Sequence, residues 1–381
     1  MPNRLPSKMK STPEIITRDP ATPSGTRKGS AVPLIMTKHA GFTLVELLVV
    51  VIIIGLVSIM MSPIYNDLIT AQSKAYEEKH HLNNQLIGAA LMGYAANSTQ
   101  YGRLPAPYTG AGYTNTIYNP ADGTAPGLAL TQALIQTGIN PGEINGDNTT
   151  ANKVRVYQLV QGIQQSVPLY FQSGPLVILT YDYGAIYLTA CPKSTAACNP
   201  NAVTSVPGTT ASALTLANHP TWTTTDTDGR PYFISSMPIQ KQMLATTTQR
   251  LDKVRDALLG YLRTQQQTAA GGDTTNWYPN QAGLAAAGTQ TGQDPGLNQQ
   301  CRDGWYNLSN AAINVLPAVG LSASEYGKTA WGGAVEYCRD YDPIPTAANT
   351  PPHYSAIRIN ADVTTGAAPS ATPGNNIVLT F

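Results

Sequence analysis

Four cysteines, five histidines and a few clustered carboxylates are the residues of this 381-residue chain best suited to chemistry. The cysteines stand at 191, 198, 301 and 338. An even number on the exported side of a membrane reads as two disulfides. Three pairings are open. Cys191–Cys198 with Cys301–Cys338 is preferred, because each bridge then closes a loop within one segment. The alternative, zinc, is poorly served by Cys191 and Cys198 with six residues between them and no nearby histidine. Asp226 and Asp228 precede Gly229 as half a calcium loop would, but the remaining acids are missing and an Asp-Gly turn accounts for them. Glu336, Asp340 and Asp342 form a second acidic group of equally weak standing. His80 and His81 fall on the polar side of a predicted helix, His219 precedes Pro220, and His353 follows two prolines. None adjoins a nucleophile. No G-x-S-x-G, H-E-x-x-H, Walker or dinucleotide-binding glycine pattern occurs, so the sequence predicts no enzyme and no cofactor.

One further carboxylate is out of place. Glu46 interrupts the run Phe42–Met61, FTLVELLVVVIIIGLVSIMM. Twenty residues at a helical rise span about 30 Å, one hydrocarbon core. An ionised carboxylate there costs at least about 2.5–3.5 kcal/mol, so it needs a partner or a function. A secretory signal peptide has a shorter apolar region ending at a small-x-small site, whereas this run continues into Ser62-Pro63-Ile64-Tyr65. A plain signal anchor leaves Glu46 unexplained.

The charge is unevenly spread. Formal net charge is +1, yet residues 1–41 hold seven Lys/Arg and two acids, leaving −4 for the rest. A basic head before an apolar run holds the N-terminus in the cytoplasm. Only 12% of residues are charged, with 20 Tyr against 4 Phe, which reads as an exported surface and excludes nucleic acid as a primary ligand.

Gly41-Phe42-Thr43-Leu44-Val45-Glu46, with Lys38 and His39 upstream and Gly55 and Pro63 downstream, resembles the processing site of the type IV pilin and pseudopilin superfamily. The resemblance implies that a prepilin peptidase cuts between Gly41 and Phe42 and methylates the new amine of Phe42. It also implies that Glu46 pairs with the N-terminal amine of a neighbouring subunit in the filament, each buried charge compensating the other. The family commonly has a Gly and a kinking Pro where Gly55 and Pro63 stand. Implied partners are the peptidase, other pilins or pseudopilins through the helix, and an inner-membrane platform with its ATPase. The implied location is a single pass through the inner membrane with a periplasmic head, then a pilus or pseudopilus. Leader length is open: 41 residues, or six if translation starts at Met36.

Past Pro63 a helical stripe of Leu68, Ala71, Ala75, Leu82, Leu86, Ala89, Ala90 and Gly93 continues to about Asn97. The expected divisions are therefore a leader over 1–41, a membrane or filament-core helix over 42–63 and an amphipathic continuation over 64–97. A head follows. Ala90-Leu91-Met92-Gly93-Tyr94 of the helix recurs in the head as Ala257-Leu258-Leu259-Gly260-Tyr261, and Tyr101–Pro105 has a loose counterpart in Asn276–Pro279. A second amphipathic helix is expected over about 247–266. Candidate strands are Val154–Leu159, Leu169–Phe171, Leu176–Tyr181, Ala185–Thr189, Tyr232–Ser235, Ala334–Cys338, Ala356–Ile359 and Ile377–Phe381. The expected class is α+β, a long N-terminal helix with an antiparallel head. That head is either one pilin-like unit or two in tandem, at 98–240 and 241–381. Its size, about twice the family's common one, points to a minor pilin. A type II secretion pseudopilin and a filament-displayed adhesin are the alternatives.

Overall fold

The computed structural model describes residues 44–97, 99–107, 134–139, 144, 155–170, 173–188, 214–223, 230–280, 300–302, 304–310, 312–343 and 352–381. The chain divides into two units, residues 1–66 and 67–381. Helix α1, Leu44–Ala95, contributes to both and continues through Pro63.

In the second unit the packed face of α1 is not the stripe that the sequence suggests. Leu82 and Leu86 are about half exposed, and Ala89 and Gly93 also face solvent, whereas His80, Asn84, Ile87, Leu91 and Ala95 are buried. Both faces satisfy helical periodicity. The choice falls to the sheet that receives the helix. A Cβ on Gly88 would lie 2.4 Å from the Tyr232 ring and 3.0 Å from Ile234, so the glycine lets α1 approach the sheet closely. His80, expected on the polar side, is buried because the Arg155 guanidinium donates to its Nδ1 at 3.2 Å.

The first sheet is an antiparallel meander of β1 (Arg155–Tyr170), β2 (Ser173–Leu188) and β3 (Tyr232–Ser235). The four short strands expected before residue 190 are thus two strands of 16 residues each. Gly162, which falls between two of the expected strands, sits at φ 78° in a β-bulge where the register shifts between Val160 and Ile163. Gly184, also between two expected strands, lies against the Tyr157 ring, where a Cβ would come within 2.9 Å. Ile87, Leu91 and Ala95 of α1 pack with Tyr157, Ile186 and Ile234 on one side of this sheet. Val156, Ile163, Ala185 and Tyr187 form a smaller core with Leu214 and Trp222.

Helix α2 runs from Met237 to Thr268, starting about ten residues before the expected point. Its first turn holds Pro238 after Ser236 at the N-cap position, a start signal independent of the apolar stripe. Leu244, Leu251, Val254 and Leu258 pack against Leu169, Val177 and Leu179 from the distal half of the β1–β2 hairpin and against the second sheet. That sheet is antiparallel with order β4 (Tyr306–Asn307), β5 (Glu336–Tyr341), β6 (Tyr354–Asn360), β7 (Asn376–Thr380). The class is α+β, a long apolar N-terminal helix followed by antiparallel sheets.

The internal echo has structural counterparts. Leu91 and Leu258 are both buried, Gly93 and Gly260 both exposed, and the other three positions of each pentapeptide are intermediate. The Tyr157 hydroxyl on β1 donates to the Pro105 carbonyl at 3.1 Å, and the Tyr337 hydroxyl on β5 donates to the Pro279 carbonyl at 3.0 Å. Tyr157 stands opposite Ile186, and Tyr337 opposite Ile357.

Candidate functional site

In the first unit every described side chain from Leu44 to Asn66 is exposed, including Leu44 at 81% and Ile59 at 73%. A helix that is apolar all round needs lipid or protein around it. By length and composition α1 can cross a membrane. A Cβ on Gly55 would meet nothing within 4 Å, so that glycine relieves no crowding inside the chain. The Ser58 hydroxyl donates to the Ile54 carbonyl at 2.8 Å, which satisfies it within the helix. Pro63 removes one helical N–H. Glu46 lies on α1, but its side chain is outside the described residues. Gly41, Phe42, Cys191, Cys198, Asp226 and Asp228 also lie outside them.

Cys301 and Cys338 form a disulfide with a Cα–Cα distance of 5.9 Å. Both cysteines are fully buried and cluster with Trp305, Tyr341 and Ala356. The acidic group at 336–342 is not a shared site, because each carboxylate has its own partner. Glu336 pairs with Arg358 at 2.6 Å, and that guanidinium lies 4.3 Å from the centre of the Trp305 ring. Burial pushes the Glu336 carboxyl up and the Arg358 guanidinium down, while each partner opposes the shift of the other. Asp342 pairs with Arg302, and Asp340 lies 3.8 Å from His353. Among the described residues no three His, Cys, Asp or Glu side chains could hold a metal ion together. The imidazoles are structural too. His219 Nδ1 lies 2.9 Å from the Leu216 carbonyl, and His353 Nε2 lies 2.9 Å from that of Thr274.

Sequence reasoning missed Asp182. Its side chain is fully buried in β2 and accepts from the Leu104 N–H at 2.9 Å and the Gly162 N–H at 3.2 Å. Arg103 closes an ion pair with it at 3.0 Å. Burial nonetheless pushes the carboxyl above the usual range, against the pull of Arg103 and both N–H donors. The acid therefore fills the β-bulge and ties it to the chain leaving α1. Its one sequence signal was an aspartate inside the otherwise apolar and aromatic stretch Leu176–Tyr187.

A groove of about 530 Å³ runs beside α1, lined by Lys74, Glu77, Glu78, His81, Gln85 and Arg230 among others. It mixes charges of both signs and offers no nucleophile with an adjacent base. The family model of the prokaryotic N-terminal methylation motif matches residues 36–62. The chain thus carries a prepilin-type motif of the type IV pilin and pseudopilin kind. That motif implies processing by a prepilin peptidase and assembly with other pilins, and with the apolar helix it fits membrane anchoring. No curated protein and no solved structure matches the chain.

Proposed function

We propose that this protein is a minor pilin, a structural subunit of a type IV pilus-like filament. The observation that carries the reading is the methylation motif at 36–62 leading into a helix whose apolar side chains are exposed on all sides. Prepilin peptidase cuts between Gly41 and Phe42 and methylates the Phe42 amine. Glu46 then pairs with the amine of a neighbouring subunit as the helix leaves the lipid, while Gly55 and Pro63 adapt the helix to its neighbours. The inner-membrane platform and its ATPase supply the work of assembly, which this chain has no motif to perform.

The head consists of two tandem pilin-like units, the first continuing α1 and the second led by α2 from Met237, so that the division falls at the start of α2, a few residues before the expected 240/241. The matched Tyr–Pro contacts and the matched burial of the two pentapeptides support this reading. Further support comes from the outer faces of the two helices. Leu82, Leu86 and Ala89 of α1 correspond to the exposed Gln249, Lys253 and Asp256 of α2. Only α1 keeps an apolar face for neighbouring subunits. A doubled head limits how densely subunits stack, which favours a sparse position in the filament.

A pseudopilin of a type II secretion system is the second reading, because the same motif serves both machines. Mass spectrometry of the mature chain should find N-methyl-Phe42 at its N-terminus, and Glu46→Ala should insert in the membrane but fail to enter filaments. An unprocessed N-terminus together with unchanged assembly would defeat both readings. Deletion that abolishes exoprotein export while sparing surface pili would select the pseudopilin.

A further inference from the structure

Helix α1 ends in an unusual turn: Tyr101 and Gly102 both take left-handed backbone conformations, at φ 50° and 75°. For a tyrosine that conformation costs about 1 kcal/mol and must be held from outside. The holder is Gln240, one turn into α2 and fully buried. Its Nε2 donates to the carbonyls of Tyr101 and Gly102 at 3.1 and 3.2 Å. A Cβ on Gly102 would lie 2.5 Å from that nitrogen, so only glycine admits the amide. The other end of the same amide reaches the opposite way. Its Oε1 accepts the indole N–H of Trp331 at 2.7 Å, inside the turn that precedes β5.

We infer that Gln240 is a two-sided latch that couples the end of α1 to the second sheet, so that order in either one stabilises the other. Both side-chain N–H groups and the carbonyl are engaged, and the planar amide cannot rotate to favour one side without breaking the other. Coupling of this kind requires a physical element biased from both ends, and the amide is that element. Other links between α2 and the same turn exist, and they serve as controls. Thr247 Oγ1 accepts from the Ala330 N–H at 3.0 Å, and Arg250 donates to the Lys328 and Thr329 carbonyls at 3.1 Å. Neither touches the Tyr101–Gly102 turn.

Hydrogen exchange on the full chain in detergent tests the latch. Trp331→Phe keeps the aromatic packing but removes the N–H, leaving the amide carbonyl unsatisfied. The amides of Gly102 and Arg103, bonded to the Ala95 and Gln100 carbonyls, should then exchange about tenfold faster. Gln240→Met should speed exchange on both sides, at Gly102 and Arg103 and at Gly332 and Gly333. Thr247→Val should speed exchange at Ala330 and leave Gly102 unchanged. If Trp331→Phe alters residues 328–333 alone, the coupling is refuted. If Thr247→Val loosens Gly102 as much as Trp331→Phe does, α2 transmits the effect as a whole and the latch assignment fails.

Discussion

Replacing both Cys301 and Cys338 with alanine removes a crosslink that closes a loop of sequence separation 37. The chain-entropy relation gives a loss of about 13 cal/mol/K for a loop of that size, or about 3.8 kcal/mol at 25 °C. Both cysteines are 0% exposed and packed against Trp305 and Tyr341. Truncating each buried sulfur therefore adds on the order of 1 kcal/mol. The crosslink contribution is lost at the first substitution. Cys301→Ala alone should therefore cost most of the total, and adding Cys338→Ala should cost only its packing share. Urea unfolding of the purified chain in detergent, followed by tryptophan fluorescence, measures each step. Equal and additive losses from the two substitutions would contradict the reasoning, because a crosslink cannot be half removed. A total below about 1 kcal/mol would also contradict it, and would mean that the unfolded chain keeps the loop ends together without the bridge.

Two further perturbations probe the packing around the sheets. Gly88→Ala should cost about 1–3 kcal/mol through overpacking, since its new Cβ would lie 2.4 Å from Tyr232 Cε1. Tyr232→Ala in the same chain should recover part of that loss, and a neutral Gly88→Ala in thermal unfolding would show that α1 stands farther from β3. Burial pushes the Tyr278 hydroxyl up to about 12, and burial together with the Asp252 carboxylate does the same for Tyr170. Each folded value lies above the unfolded value of about 10, so the stabilisation is complete below pH 10 and is lost as the pH climbs towards 12. Ultraviolet titration of the folded chain should show tyrosines that ionise late and then join the main class once unfolded. A single transition near 10 in both states would rule this out.

The prepilin-type motif was legible in the sequence because it is local. Gly41, Phe42 and Glu46 stand at fixed spacing along one chain, and a 20-residue apolar run spans a bilayer whatever the rest of the protein does. The α+β class and strand β3 were also legible, since alternation and turn residues act over a few positions. The extent of β1 and β2 was not, because the stretches around Gly162 and Gly184 join the strands only through a bulge and a close approach to the Tyr157 ring.

Which face of α1 is buried was a matter for tertiary structure alone. Two faces satisfy the same periodicity, and the choice depended on Gly88 meeting β3 and on Arg155 donating to His80. The polar keystones were equally invisible. Asp182 finds Leu104 across 78 positions, and Gln240 finds Trp331 across 91. Sequence by itself determines the contacts that lie within a helical turn or a strand repeat. Contacts between distant segments are set by which surfaces bury one another, and a buried polar side chain gains its partner only when those surfaces close.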